Sequence, residues 1–451
     1  MILKRKIYQK LLDWKMKSKG STALLIKGAR RVGKSFICMF FGKEEYRSVL
    51  YIDFSNAAAD IKDCFYYDSD DLDEFFSKLS VFYNTRLYKR ESLIIFDEVQ
   101  RFPKAWEMIK YLVADGRYDY IEISSIISTR QNIKDIQIPP EDEEKKLEMF
   151  PMDFEEFLWA VGNETLFPII ESHYHELKPL KQALHKKAMA YFRQYMLVGG
   201  MPQSVLAFLD ENNYAASDHV KKRILTLYRN DISKCESGYE KKVASIFETI
   251  PSQLSKKEKR FKLSSINKNA RLREYEDAFR WLTDSMICNT CVNAADPNDG
   301  LTLSSVHSTH KLYMADTGLL VTHAFANNIF PDNDLYKAIL FNKLNINEGM
   351  LVENIVAQIL RCNGHRLLFY SRSDTNNRKN MMEIDFLIKI NDKICPVEVK
   401  PSAYRHHASL DKLQNKFSQS LGNSYILYTK NLMIKDNIIH LPIYMTMCLF
   451  V

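Results

Sequence analysis

Apolar positions along this chain fall into two kinds of run. Short unbroken stretches, ALLIKG, LIIFD and YIEIS, have the length and composition of strands buried on both faces. Between them lie segments of helical character, KSFICMFF and FPKAWEMIKYLVADG. This alternation over the first 150 residues predicts strands interleaved with helices. From about 151 to 235 helical patterns dominate, through LKPLKQALHKKAMAYFRQYMLV, until GGMP breaks the run. In RLREYEDAFRWL the apolar residues Leu272, Tyr275, Phe279 and Leu282 share one helical face, and two strand-like stretches follow, ICNTCVNAA and HKLYMADTGLL. The last part has a helix, GMLVENIVAQILRC, a strand, FYSR, and the alternating segment EIDFLIKINDKICPVEVK. Asn391-Asp392 at its centre predicts a two-residue hairpin turn, with paired positions summing to 783.

A chain of 451 residues is too long for one hydrophobic core. Its 46% hydrophobic and 26% charged residues are those of an ordinary globular protein, and 14 Gly with 13 Pro argue against long disordered linkers. A net charge of +7 permits a nucleic-acid partner without requiring one. The N-terminus is basic and amphipathic, without the apolar centre of a secretion leader. No run of eighteen apolar residues occurs, so no membrane partner is expected, and the expected location is cytoplasmic. Eight scattered cysteines form no disulfide framework. Cys288 and Cys291 stand as a lone CxxC, with His307 and His310 at a distance and no second cysteine pair, which reads as core thiols.

The chemistry begins at GARRVGKS, Gly28 to Ser35, which fits G-x-x-x-x-G-K-[ST] between a strand and a helix. Two glycines let the backbone curl so that successive N–H groups face phosphate oxygens. The expected nucleotide contacts are Gly28, Ala29, Arg30, Arg31, Val32, Gly33, Lys34, Ser35 and Phe36. Lys34 reaches the terminal phosphates, and the Ser35 hydroxyl ligates Mg²⁺. ATP and Mg²⁺ are therefore the expected cofactors. LIIFDE ends in two carboxylates: Asp97 is placed to support the metal, and Glu98 to polarise the attacking water. Ser124 and Ser125, at the end of the next strand, are candidates for sensing the γ-phosphate.

The tail has its own pattern. If the hairpin forms, Asp385 lies opposite Glu398, with cross-strand Cβ atoms about 4.5–5.5 Å apart, and Lys400 shares the face of Glu398. D-x12-E-x-K resembles the restriction-endonuclease-like fold, in which two acids bind Mg²⁺ and a lysine assists phosphodiester cleavage. Glu353, on the upstream helix, matches a further acid of that fold, so Glu353, Asp385 and Glu398 with Lys400 form a second candidate metal site.

GARRVGKS, IIFDEVQRFP, MFPMDFEEFLWA, YMLVGGMPQSV, LYRNDISK, KLYMADTGLL and EIDFLIKINDKICPVEVKPS together resemble the prokaryotic AAA-type P-loop ATPase family that carries an uncharacterised C-terminal domain. The resemblance covers nearly the whole chain. It implies an α/β multidomain protein: an AAA-type P-loop core with a parallel sheet at 1–150, a helical lid at 151–235, a winged helix-turn-helix at 236–330 and a restriction-endonuclease-like α/β domain at 331–451. Related ATPases place a Gly-x-Pro near the adenine, a position that Gly200 and Pro202 match. Members usually carry a Thr-Gly-Ser or Ser-Gly-Ser at the strand expected over 121–126, where this chain reads IEISSII, without the glycine. The arginine finger has three candidates, Arg101, Arg130 and Arg229.

The cluster Lys256, Lys257, Lys259, Arg260, Lys262, Lys268, Arg271 and Arg273 is the footprint of a phosphate backbone or a solvated helix face. DNA, a protein and a second copy of the chain are the candidate partners. Three functions compete: an ATPase whose nucleotide state controls DNA engagement, an ATP-gated protein-binding switch with slow hydrolysis, and an ATP-controlled metal-dependent nuclease.

Overall fold

Among the described residues, five strands form a parallel sheet in the first part of the chain. The computed structural model describes residues 1–125, 144–235, 238–256, 260–294, 305–325, 348–372, 381–400, 407–417 and 420–450. They divide into two compact units, one of Lys4–Phe150 with Asp284–Met286 and one of Met1–Leu3, Pro151–Thr283 and Ile287–Val451.

The first unit runs α1 (Ile7–Ser18), β1 (Ala23–Lys27), α2 (Lys34–Glu45), β2 (Ser48–Asp53), α3 (Ala59–Tyr67), α4 (Leu72–Phe82), β3 (Ser92–Asp97), α5 (Pro103–Asp115), β4 (Asp119–Ser124) and β5 (Glu144–Glu148). Every pairing is parallel and the strand order is β2-β3-β4-β1-β5. Every residue of β3 and β4 is buried, which explains their unbroken apolar runs. One face packs on a cluster of aromatic rings in which Phe54 lies 5.5 Å from Phe65 and 5.7 Å from Phe96. In such a sheet all carboxyl ends share one edge, where ligands bind. The phosphate loop leaves β1 at that edge. β4 lies between β1 and β3, so Ser124–Ser125 emerge between the loop and Asp97.

The second unit holds α6 (Phe154–Ala160), α7 (Leu166–His175), α8 (Gln182–Val198), α9 (Pro202–Glu211), α10 (Tyr214–Ile232), α11 (Glu240–Ser255), α12 (Glu276–Asp284, its last residue grouped with the first unit), α13 (Thr317–Ala324), α14 (Glu348–Cys362) and α15 (Ala408–Phe417). Its strands are β6 (Cys288–Ala294), β7 (Ser305–Met314), β8 (Leu368–Arg372), β9 (Met382–Ile390), β10 (Lys393–Val399), β11 (Ser424–Tyr428), β12 (Met433–Lys435) and β13 (Ile438–Pro442). They make one mixed sheet, β12-β13-β11-β10-β9-β8-β6-β7. The β9–β10 register sums to 783, and Asn391 and Asp392 both have left-handed φ, 48° and 63°, as a two-residue hairpin turn requires.

Two expectations change here. The β6–β7 hairpin, read as the wing of a winged helix, is the edge of the large sheet, because β6 pairs in parallel with β8. The sheet therefore continues across the boundary expected at 330. The helix expected from Leu272 begins at Glu276, and Leu272–Glu274 form a 3-10 turn. Tyr275, Phe279 and Leu282 are buried as the spacing implied.

The stretches MDF, GGMP and MADTGLL meet in one buried polar knot. The Gly200 N–H donates to Asp316 Oδ2 at 2.6 Å, and the Gly200 carbonyl accepts from Met152 N at 2.7 Å. A Cβ on Gly200 would stand 2.1 Å from the Met152 carbonyl, so only glycine lets these backbones approach. Tyr195 donates to Met152 O and accepts from Gln358, and Gln358 in turn accepts from Thr317. Gly200 therefore has a structural task in this unit, and Pro202 opens α9 at its first turn, where a missing N–H costs nothing.

Candidate functional site

The loop after β1 is shaped by its backbone. Gly33, at φ 97°, caps α2, and Arg31 takes a left-handed φ of 74°. A Cβ on Gly28 would meet the Met149 carbonyl at 2.4 Å, so the loop lies against the strand end beside it. Arg5, almost buried, pins both: Nη1 donates to Val32 O at 3.0 Å and Nη2 to Phe150 O at 2.7 Å. Ala29 and Val32 are buried, Arg30 and Ser35 half-buried, and Arg31 and Phe36 exposed. Lys34 stands at the start of α2, 5% exposed, and donates to the carbonyls of Gly28 at 2.8 Å and Ala29 at 3.0 Å. Burial lowers its ammonium to about 8, against the pull of Glu98 and Asp97.

Asp97 ends β3, buried. Burial raises its carboxyl above the usual range, while hydrogen bonds from Ser35 and Tyr51 and the Glu98 backbone N–H oppose the rise. Ser35 and Asp97 are thus brought together as expected. Tyr51, on β2, was not anticipated. The register pairs Asp53 with Asp97, so Tyr51 lies one diagonal step away on the same face, and its hydroxyl donates to Asp97 Oδ2.

Glu98 has a left-handed backbone, φ 53° and ψ 41°, which costs on the order of 1 kcal/mol for a residue with a Cβ. Ser125 donates to Oε1 at 2.7 Å and Gln100 to Oε2 at 2.6 Å, with Arg101 at 3.9 Å. Ser125, expected to sense phosphate directly, is therefore bonded to the Glu98 carboxylate. Ser124 pairs with Lys27 on β1 and is buried.

Residues 20–158 match the AAA domain family. The chain carries an AAA-type P-loop ATPase domain. Residues 189–329 and 348–445 match two domains of unknown function, DUF8612 and DUF4143. No curated protein matches the chain significantly. Among solved structures, the chain is similar to ORC2 of Aeropyrum pernix in its ADPNP–ADP complexes, at 11% identity and TM-score 0.38, over 75% of this chain and 92% of that one. It is also similar to the Thermotoga maritima RuvB Holliday junction branch migration motor, at 10% identity and TM-score 0.29, over 63% and 89%. The Drosophila ORC bound to AT-rich DNA and Cdc6 gives 10% identity and TM-score 0.23, over 71% and 91%.

The AAA domain implies nucleotide binding and hydrolysis. Of the arginines, Arg101 is half exposed beside Glu98, Arg130 lies outside the described residues, and Arg229 is held in the second unit by Glu248 at 2.7 Å and 3.2 Å. No described helix is long and apolar enough to cross a membrane.

In the second unit the tail carboxylates are placed near one another but not around one point. Glu353 and Asp385 both face Lys311 of β7, at 2.8 Å and 4.0 Å. Glu398, 1% exposed, instead lies 2.9 Å from Lys400. Burial and the charge of Glu353 raise Asp385 to about 7, despite Lys311 and the Val399 N–H at 2.8 Å. Among the described residues no group of three or more His, Cys, Asp or Glu is arranged to hold a metal ion. Cys288 and Cys291 are free, buried and three residues apart on β6, so they point to opposite faces. Lys256, Arg260, Lys262, Lys268, Arg271 and Arg273 are all exposed, whereas Lys257, Lys259 and the side chain of His307 lie outside the described residues.

Proposed function

We propose that the protein hydrolyses Mg²⁺·ATP at the GARRVGKS loop. The observation that carries this is the convergence of Lys34, Ser35, Asp97 and Glu98 at the carboxyl edge of one parallel sheet. The loop N–H groups and the Lys34 ammonium bind phosphate oxygens, exchanging the carbonyl partners of Lys34 for a stronger anion. The Ser35 hydroxyl and the Asp97 carboxylate, already hydrogen-bonded, are the hard oxygen donors that Mg²⁺ takes. When bound, the metal neutralises charge developing on the phosphates. Glu98, held by Ser125 and Gln100, orients the attacking water and accepts its proton. Titrating the protein with ATP in Mg²⁺ by calorimetry, beside Lys34→Ala, tests the reading. Heat of binding in wild type that disappears in the variant supports it, and equal binding by both sinks it.

A second reading joins nucleotide state to DNA. The six exposed cations between Lys256 and Arg273 favour it, since clustered cations release counterions from a phosphate backbone. Duplex binding that weakens steeply with salt, and drops when Lys256, Arg260, Arg271 and Arg273 are neutralised, is the expected result. Binding unchanged by those substitutions removes this reading and leaves a protein partner in its place.

A further inference from the structure

We propose that Lys311 is a built-in cation that takes the place of a divalent metal in the D-x12-E-x-K site, so that the second unit holds a metal-free ionic lock. The residues present do not fit a divalent ion. Such an ion needs several carboxylate oxygens around one point at about 2.0–2.6 Å. Here the point between Glu353 and Asp385 is taken by the Lys311 ammonium, 2.8 Å from Glu353 Oε1 and 4.0 Å from Asp385 Oδ1. The side chain of Lys311 is 7% exposed, so it has little room to swing out to water. Several of the carboxylate oxygens have other partners as well. Tyr313 donates to Glu353 Oε1 at 2.5 Å, the Val399 N–H donates to Asp385 Oδ2, and Glu398 is paired with Lys400. A divalent ion entering here would meet a buried ammonium of the same sign within a few ångströms. The lock has a structural effect: it ties β7 to α14 and to β9, joining the hairpin before residue 325 to the sheet after 348.

Lys311 comes from outside the D-x12-E-x-K motif, 74 residues before Asp385 in sequence, so the motif alone gives no sign of it. The test uses the full chain without nucleotide, with Mn²⁺ as a paramagnetic probe titrated by EPR. Wild type and Asp385→Asn are expected to give superimposable titrations. Lys311→Met is expected to take up one additional Mn²⁺, which is lost again in Lys311→Met/Asp385→Asn. Loss of one Mn²⁺ from wild type on the Asp385→Asn change alone overturns the proposal. So does a folded Lys311→Met protein that gains no ion. If Lys311→Met does not fold, the comparison of wild type with Asp385→Asn decides the matter by itself: equal titrations support the lock, and a lost ion refutes it.

Discussion

Ser125→Ala removes one hydroxyl and isolates a single link of the site. Ser125 Oγ donates to Glu98 Oε1 at 2.7 Å from a position only 7% exposed, so water does not readily replace it. A hydrogen bond to a charged group contributes about 1.5–3 kcal/mol, equivalent to about 10- to 150-fold. Gln100, 2.6 Å from the other oxygen, still holds the carboxylate after the change, which places the expected loss near the lower end, about 10- to 30-fold in kcat. ATP affinity should stay within about twofold, because the loop N–H groups and the Lys34 ammonium proposed to hold the phosphates are untouched by the change. Steady-state phosphate release gives kcat, and equilibrium titration with a fluorescent ATP analogue gives affinity. Ser125→Thr, which keeps the hydroxyl, should recover most of the rate. Wild-type turnover in Ser125→Ala would refute the orienting role. A parallel loss of affinity would mean that the serine acts on nucleotide and not through Glu98.

Three further outcomes follow from the same geometry. Lys34 titrates near 8 in the free protein, and bound phosphates favour its charged form, so ATP affinity should be flat below about pH 7. Above pH 8 it should fall by up to about tenfold per unit in calorimetric titrations, while Lys34→Arg, if it binds, shows no such fall. The sign for stability is opposite: the unfolded chain holds this proton to a higher pH than the folded one, so Lys34's contribution to stability rises from about pH 8 to 10. Tyr51→Phe deletes a donor to Asp97 and should raise the Mg²⁺ needed for half-maximal turnover by about three- to tenfold, with turnover at saturating Mg²⁺ nearly unchanged. Gly200→Ala drives a Cβ to 2.1 Å from the Met152 carbonyl and should cost about 1–3 kcal/mol or more in urea unfolding. An unchanged midpoint would show that the polar knot yields more easily than its close contacts imply.

The phosphate loop, its flanking strand and helix, and the Asp97–Glu98 pair were legible in the sequence because each depends on local spacing. The hairpin at Asn391-Asp392 was equally legible, since turn chemistry sets its register. What pairs with what across distant strands was not. The wing assigned to β6–β7 depended on order along the chain, whereas its place is decided by β8, some 75 residues later. Tyr51 and Arg5 carry no motif. Only the β2–β3 register and the path of the N-terminal segment bring them to the site. Glu122 illustrates the same limit: it sits in an apolar run, fully buried, and its carboxyl is raised well above the usual range by burial and by Glu144, which approaches from a non-adjacent strand. Lys311 reads as one more basic residue in HKLYM, and its role appears only once β7, α14 and β9 are together.

Comparing Glu98→Gln with wild type tests hydrolysis at this loop most directly. The variant keeps the shape of the side chain and removes its capacity to accept a proton. Both proteins would be assayed for ATP binding and for phosphate release in Mg²⁺ at pH 7.5. Binding within about twofold of wild type, with turnover reduced by about 100-fold or more, is the predicted result. Undiminished turnover in Glu98→Gln would contradict the assignment of Glu98 as the residue that prepares the attacking water.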